Sequence, residues 1–262
     1  MSRITRTLQN LKKNGKKGLI VYITGGYPDM NTTFQAVQAA AKAGADVVEI
    51  GIPFSDPMAD GPVIQKAASA ALEAGASVET IITTVKYLRQ YTEVPLALMT
   101  YFNPVLQAGM ENFIRSSLLA GVDGLIVPDL PLEENAVLAE PCEQEGMDLI
   151  SFIAPTTTAE RLEPLCCQGS GFIYCISNTG VTGAKEVDYS ALEPLIGAAR
   201  KYTDLPIAIG FGVSSPAAAA EAVRCADAVI VGSAVMQKLM DEGVEGMETF
   251  IAELRAAIDR AQ

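Results

Sequence analysis

Residues 43–51 read Ala43-Gly44-Ala45-Asp46-Val47-Val48-Glu49-Ile50-Gly51, and the pattern recurs along the chain. Ala120-Gly121-Val122-Asp123 precedes Gly-Leu-Ile-Val, Glu145-Gly146-Met147-Asp148 precedes Leu-Ile-Ser-Phe, and Arg224-Cys225-Ala226-Asp227 precedes Ala-Val-Ile-Val. A glycine just past an amphipathic stretch is a helix stop, because glycine enters the left-handed region without a Cβ penalty. The short apolar run after it reads as a strand buried on both faces, and such strands are parallel. Two further runs open on proline, Pro95 and Pro206, at the first residue of a strand.

Working outward gives eight strands, at 19–24, 46–50, 96–100, 124–128, 149–154, 171–177, 206–210 and 227–232. Helical patterns lie between them at 31–43, 77–90, 110–119, 132–145, 158–167, 189–201, 215–224 and 244–259, with shorter ones at 2–13, 62–74 and 233–240. Eight parallel strands alternating with eight principal helices predict a (β/α)8 barrel, with a doubly wound open sheet as the alternative. No linker or low-complexity tract interrupts residues 1–262, so one barrel domain is expected.

Composition narrows the chemistry. The chain has 262 residues, a 49% hydrophobic share and a formal net charge of −12. That balance argues against a nucleic-acid surface, which needs a basic stripe to displace counterions. There is no histidine. A Ser-His-Asp triad, a Cys-His pair, an HExxH zinc site and an imidazole base are therefore all excluded. Cys142, Cys166, Cys167, Cys175 and Cys225 form no CxxC pair and read as reduced thiols of a cytoplasmic protein. The apolar run Leu19–Ile23 is too short for a signal peptide or a membrane span.

In such a barrel the site lies at the C-terminal ends of the strands. After the second strand comes a stiff loop from Gly51 to Pro62 that carries Asp56 and Asp60. After the sixth comes Ser177-Asn178-Thr179-Gly180-Val181-Thr182-Gly183, after the seventh Gly210-Phe211-Gly212-Val213-Ser214, and after the eighth Gly232-Ser233. The last three are small-residue turns leading into helix starts. Their N–H groups and the helix dipole make a phosphate cradle; one such turn alone would mean only a tight bend.

Glu49 sits inside an apolar strand, and no Lys or Arg lies within any of the eight runs to pair with it. A carboxyl in an apolar pocket has a raised pKa and can shuttle a proton near neutrality. Asp56 and Asp60 each serve equally well as turn formers ahead of proline or glycine. Tyr174 either faces the pocket, within reach of Glu49 or a ligand, or is an ordinary core tyrosine. Asp129, after the fourth strand, is a weaker candidate. With no strand lysine (Lys185 lies beyond the glycine loop) and no metal-ligand cluster, Schiff-base and metal-assisted aldol chemistry are disfavoured. Carboxylate proton transfer to a substrate that is its own electron sink remains.

The stretch Glu49-Ile-Gly-Ile-Pro-Phe-Ser-Asp-Pro-Met-Ala-Asp-Gly-Pro62 resembles the signature of the tryptophan synthase alpha subunit. Tyr101-Phe-Asn-Pro104, Pro128-Asp129-Leu-Pro131, Ser177-Asn-Thr-Gly-Val-Thr-Gly183 and Gly210-Phe-Gly-Val-Ser214 are similar to that family's later motifs, in the same order. The resemblance spans essentially the whole chain. It implies a (β/α)8 barrel with an extra N-terminal helix. It also implies a lyase of tryptophan biosynthesis that cleaves indole-3-glycerol phosphate to indole and D-glyceraldehyde 3-phosphate.

By resemblance, Glu49 is the acid/base that protonates indole C3, and Asp60 holds the indole N–H and balances the cation. Tyr174 lies near the glycerol phosphate and Glu49, while Gly183, Gly212, Val213, Gly232 and Ser233 hold the phosphate. The family works as an α2β2 heterotetramer, passing indole to a pyridoxal-phosphate beta subunit; this chain itself is expected to hold no cofactor or metal. Pro53, Asp56, Asn103 and Pro104 match the surface facing that partner. Asn178 stands where many members carry Arg. That loop closes over the ligand in the family, so loop closure and coupling to a partner carry over less directly than the chemistry. The rival readings are a free-standing lyase that releases indole, a phosphate-binding activator of a partner, and a barrel isomerase or epimerase.

Overall fold

The computed structural model describes residues 1–177 and 188–261. Nine strands form one parallel sheet: β1 (Gly18–Thr24), β2 (Val47–Gly51), β3 (Leu96–Met99), β4 (Gly124–Ile126), β5 (Asp148–Leu149), β6 (Ser151–Ile153), β7 (Ile173–Ile176), β8 (Ile207–Gly210) and β9 (Ala228–Val231). Their order is β5-β4-β3-β2-β1-β9-β8-β7-β6. The two ends of that order are separated in sequence by Ile150 alone, whose N–H donates to Leu125 O at 3.0 Å. The sheet is thus a nearly closed barrel, as expected, and the open-sheet alternative falls.

The expected strand at 149–154 is split. Its first half pairs only with β4 and its second half only with β7. Barrel strands are staggered along the axis, so a short strand at the seam meets one neighbour at a time.

Eleven helices surround the barrel among the described residues. They are α1 (Arg3–Lys13), α2 (Met30–Lys42), α3 (Pro62–Glu73), α4 (Val78–Leu88), α5 (Phe102–Ala108), α6 (Met110–Ala120), α7 (Ala136–Glu145), α8 (Ala159–Gln168), α9 (Glu193–Ala199), α10 (Pro216–Ala222) and α11 (Ser233–Arg260). The expected breaks around Gly243 reappear as a kink inside α11, where that residue has φ 70°. The helices expected at 132–145 and 189–201 each begin with a 3-10 turn, at Leu132–Glu134 and Tyr189–Leu192. None of the described helices is long and apolar enough to cross a membrane. All five cysteines are free.

Alternation sorts the strand side chains into two cores. Val48 and Ile50 face outward to the helices, whereas Val47, Ile20, Ala97, Phe172, Tyr174, Ala208, Ala228 and Ile230 fill the barrel interior. The amphipathic α1 closes the N-terminal mouth by burying Ile4 and Leu8 in that interior cluster. This is the extra N-terminal helix expected from the resemblance.

The repeated aspartates tie that same end together. Asp46, Asp123 and Asp227 accept the N–H groups of Leu19, Leu96 and Ile207 at 2.8, 2.9 and 3.0 Å. Each also pairs with an arginine, Arg255, Arg89 or Arg200. A buried or half-buried carboxylate that accepts a backbone N–H and a guanidinium is satisfied, so these aspartates belong to the frame.

Candidate active site

Glu49 is the third residue of β2, in register with Tyr22 of β1 and Ala97 of β3. Period-two alternation puts it on the interior face with Val47 and Gly51. It is 0% exposed, and neither carboxylate oxygen has a hydrogen-bond partner among the described residues. Burial without a compensating donor disfavours the charged form, which pushes its pKa up to about 8. The absence of a strand cation, read from sequence, has this consequence. Burial therefore favours the carboxylic acid over the carboxylate near neutrality.

Asp60 ends the loop after β2, two residues before α3 starts at Pro62. It is partly buried, which raises its pKa, while a hydrogen bond from the Tyr101 hydroxyl pulls it back. That hydroxyl also accepts the Ala59 N–H at 3.0 Å, so Tyr101 holds the loop at two adjacent points. Asp56 stays exposed beside Ser55, as a turn former would. Asp129 caps α5, accepting the Phe102 N–H at 2.9 and 3.1 Å. Its role is structural.

Tyr174 lies on the interior face of β7, 6% exposed, with Phe152, Phe172 and Phe211 around its ring. Burial first, then the charges of Glu49 and Asp60, hold its hydroxyl in the neutral form. Tyr174 makes no hydrogen bond to Glu49, although both face the same interior.

Spacing and composition do not single out Tyr22. It is buried, and its hydroxyl accepts from Thr24 Oγ1 at 3.4 Å. The charges of Asp60 and Glu49 reinforce burial in keeping it protonated. The two tyrosines occupy equivalent places: a Cβ on Gly51 would lie 2.0 Å from Tyr22 Oη, and one on Gly210 would lie 2.4 Å from the Tyr174 ring. Only glycine at those strand ends lets the phenols lean across the barrel floor. The alternation of Tyr22 and Thr24 in an otherwise aliphatic run was the available signal.

The loops after β8 and β9 complete the opposite wall. Phe211 and Gly212 both have positive φ, 69° and 78°, and Val213 is buried. Gly232 precedes α11 with no side-chain cap, and Ser233 is its first residue. Ser2, Asp29, Ser77 and Ser215 cap α1, α2, α4 and α10 with their side chains, whereas the N-cap residues of α3 and α5 to α9, like that of α11, make no side-chain cap. An uncapped start of a long helix leaves N–H groups and the positive dipole end available for an anion.

Asp60, Gly212, Val213, Gly232 and Ser233 follow the C-terminal ends of their strands, and Glu49 and Tyr174 belong to the interior faces of β2 and β7. Gly183, Asn178 and Lys185 lie outside the described residues. Of the residues expected to face a partner, Asp56 and Asn103 are exposed, whereas Pro53 and Pro104 are buried within the chain. Met58, 83% exposed on the loop after β2, and Leu106, 54% exposed on α5 beside Asn103, add apolar surface. No three Cys, Asp or Glu side chains among the described residues converge to hold a metal ion.

This architecture is shared with known proteins. The family model for the tryptophan synthase alpha chain matches residues 8–261. The tryptophan synthase alpha chain of Synechococcus elongatus is 46% identical over 99% of this chain and 98% of its own length. That of Chloroflexus aggregans is 45% identical over 99% of each chain. Among solved structures, the tryptophan synthase alpha subunit of Legionella pneumophila superposes with a TM-score of 0.92 at 34% identity, covering 99% of both chains. A chain of the aminoacrylate-bound tryptophan synthase of M. tuberculosis superposes at 0.89 and 34%, covering 98% of this chain and 100% of its own. A barrel plugged by an N-terminal helix, a glutamate buried in its interior and full-length similarity at this level converge on one assignment: the chain belongs to the tryptophan synthase alpha chain family.

Proposed function

We propose that this chain is the carbon–carbon lyase of tryptophan biosynthesis that splits indole-3-glycerol phosphate into indole and D-glyceraldehyde 3-phosphate. The observation that carries the mechanism is Glu49, a fully buried carboxyl without a partner among the described residues, whose pKa burial pushes up to about 8. It gives its proton to C3 of the indole ring, and the ring nitrogen takes on positive charge. Asp60 accepts the indole N–H and balances that charge, held in place by Tyr101. The bond between C3 and the glycerol carbon then breaks, and its electron pair returns to the ring. The hydroxyl on that carbon loses its proton to the Glu49 carboxylate and becomes the aldehyde. Atoms balance, and Glu49 returns to its starting form.

Tyr174 bounds the glycerol side, and the Gly212, Val213, Gly232 and Ser233 turns hold the phosphate, with Gly183 contributing from outside the described residues. Placing Asp at Gly212 should put a negative charge into that cradle, on a backbone at φ 78° that favours glycine. Gly212→Asp should weaken glycerol phosphate binding by about 100-fold or more while the melting transition persists, as two carboxylate–phosphate charges repel in a half-buried site. Unchanged affinity by calorimetry would move the phosphate elsewhere.

The free cysteines support a cytoplasmic setting. The partner is a pyridoxal-phosphate beta subunit in an α2β2 assembly, and this chain supplies no cofactor of its own. Asp56 and Met58 on the loop after β2, with Asn103 and Leu106 on α5, give a surface suited to it. A partner that favours the closed site also favours the ligand bound there, by reciprocal linkage. Substrate affinity should therefore tighten by about fivefold or more when a beta subunit is added, within the usual range of coupling between sites, and indole release at limiting substrate should rise with it. Equal turnover with and without it would identify a free-standing lyase.

A further inference from the structure

Among the described residues, Phe211 alone combines a side chain with a left-handed backbone, at φ 69°. Bulky residues avoid this region, so the surroundings must hold it there. Two hydrogen bonds from the end of β7 do so. The Ser177 N–H donates to Gly210 O at 3.1 Å, and the Ser177 hydroxyl donates to Phe211 O. The Phe211 ring rests edge-on against Tyr174 with centroids 6.1 Å apart.

The Phe211 carbonyl and the Gly212 N–H are two ends of one planar trans peptide, and they point in opposite directions. Fixing the carbonyl toward β7 fixes the N–H away from it. We infer that Ser177 is a positioning residue for the anion cradle: its hydroxyl locks the 211–212 peptide so that the Gly212 N–H, followed by that of Val213, faces the substrate phosphate. This rests on the phosphate reading of those turns. Without the hydroxyl, Phe211 relaxes toward an ordinary φ and the Gly212 N–H rotates off the ligand. The backbone bond from Ser177 to Gly210 survives, so the sheet does not change.

The test is a double-mutant cycle read by calorimetry with glycerol 3-phosphate, with melting curves as the check on folding. Ser177→Ala should weaken binding about tenfold, the loss of one aligned N–H to an anion. Ser177→Thr, which keeps the hydroxyl, should restore affinity to within about threefold of the parent. In a Phe211→Gly background glycine adopts the left-handed region unaided, so adding Ser177→Ala should cost less than about threefold. Equal losses in the two backgrounds, or a Thr variant as weak as Ala, would overturn the clamp. A parent that binds and a Ser177→Ala variant that binds equally well would also overturn it. A parent that fails to bind glycerol 3-phosphate overturns the phosphate reading itself, and the clamp with it.

Discussion

Glu49→Gln should abolish cleavage while substrate still binds. Gln matches the shape and neutrality of the protonated carboxyl but has no proton to deliver, so the rate should fall by at least ~10²–10⁴. Near-normal turnover would remove Glu49 from the mechanism. The same substitution should change stability, and the sign follows from the raised pKa. The carboxyl is protonated in the fold up to about pH 8 but ionises above about 4.5 when unfolded. Its contribution to stability is whole below the unfolded value and is lost as pH rises through the folded one. The parent should therefore lose on the order of 5 kcal/mol between pH 4.5 and 8, from a shift of 8 − 4.5 units, and none further above that. Glu49→Gln should lack this loss and be the more stable protein at pH 8. Urea titrations of both across the range check it. Parallel curves would mean the carboxyl is solvated or paired.

Asp60→Asn should lose about 10²–10³-fold in turnover with little change in substrate affinity, because an amide cannot balance a cation that exists only after C3 is protonated. The Tyr101 hydroxyl can still donate to the Asn carbonyl oxygen, so the loop should keep its position. A rate within a few-fold of the parent would leave Asp60 as a turn former. A rise in KM with kcat preserved would assign it to ground-state binding instead.

The barrel is legible in the sequence because its signal is local and repeated. Each Gly-x-Asp step marks a helix end and a strand start within a few residues, and alternation within β2 alone puts Glu49 inside. What is missed depends on distant partners. Phe102–Ala108 is a helix although Tyr101-Phe-Asn-Pro104 reads as an irregular motif. Its proline falls in the first turn, where a missing N–H costs little, and its cap is Asp129 from another loop. Pro53 and Pro104 look like surface residues on rigid loops, yet the chain buries both. Tyr22, Tyr101 and Ser177 matter through what their hydroxyls meet across the barrel mouth, and no spacing rule reports that. Asp56 and Asp60 look alike in sequence; only the Tyr101 contact and the depth of the loop separate them.

In the proposed mechanism Glu49 is the acid, and it holds its proton at neutral pH. The most direct measurement is single-turnover indole release from indole-3-glycerol phosphate by this chain between pH 6 and 10. The rate should hold through neutrality and fall at alkaline pH with an apparent pKa near 8, the value set by burial of Glu49. A rate that is flat through pH 8, or that rises through it, would exclude a protonated Glu49 as the acid.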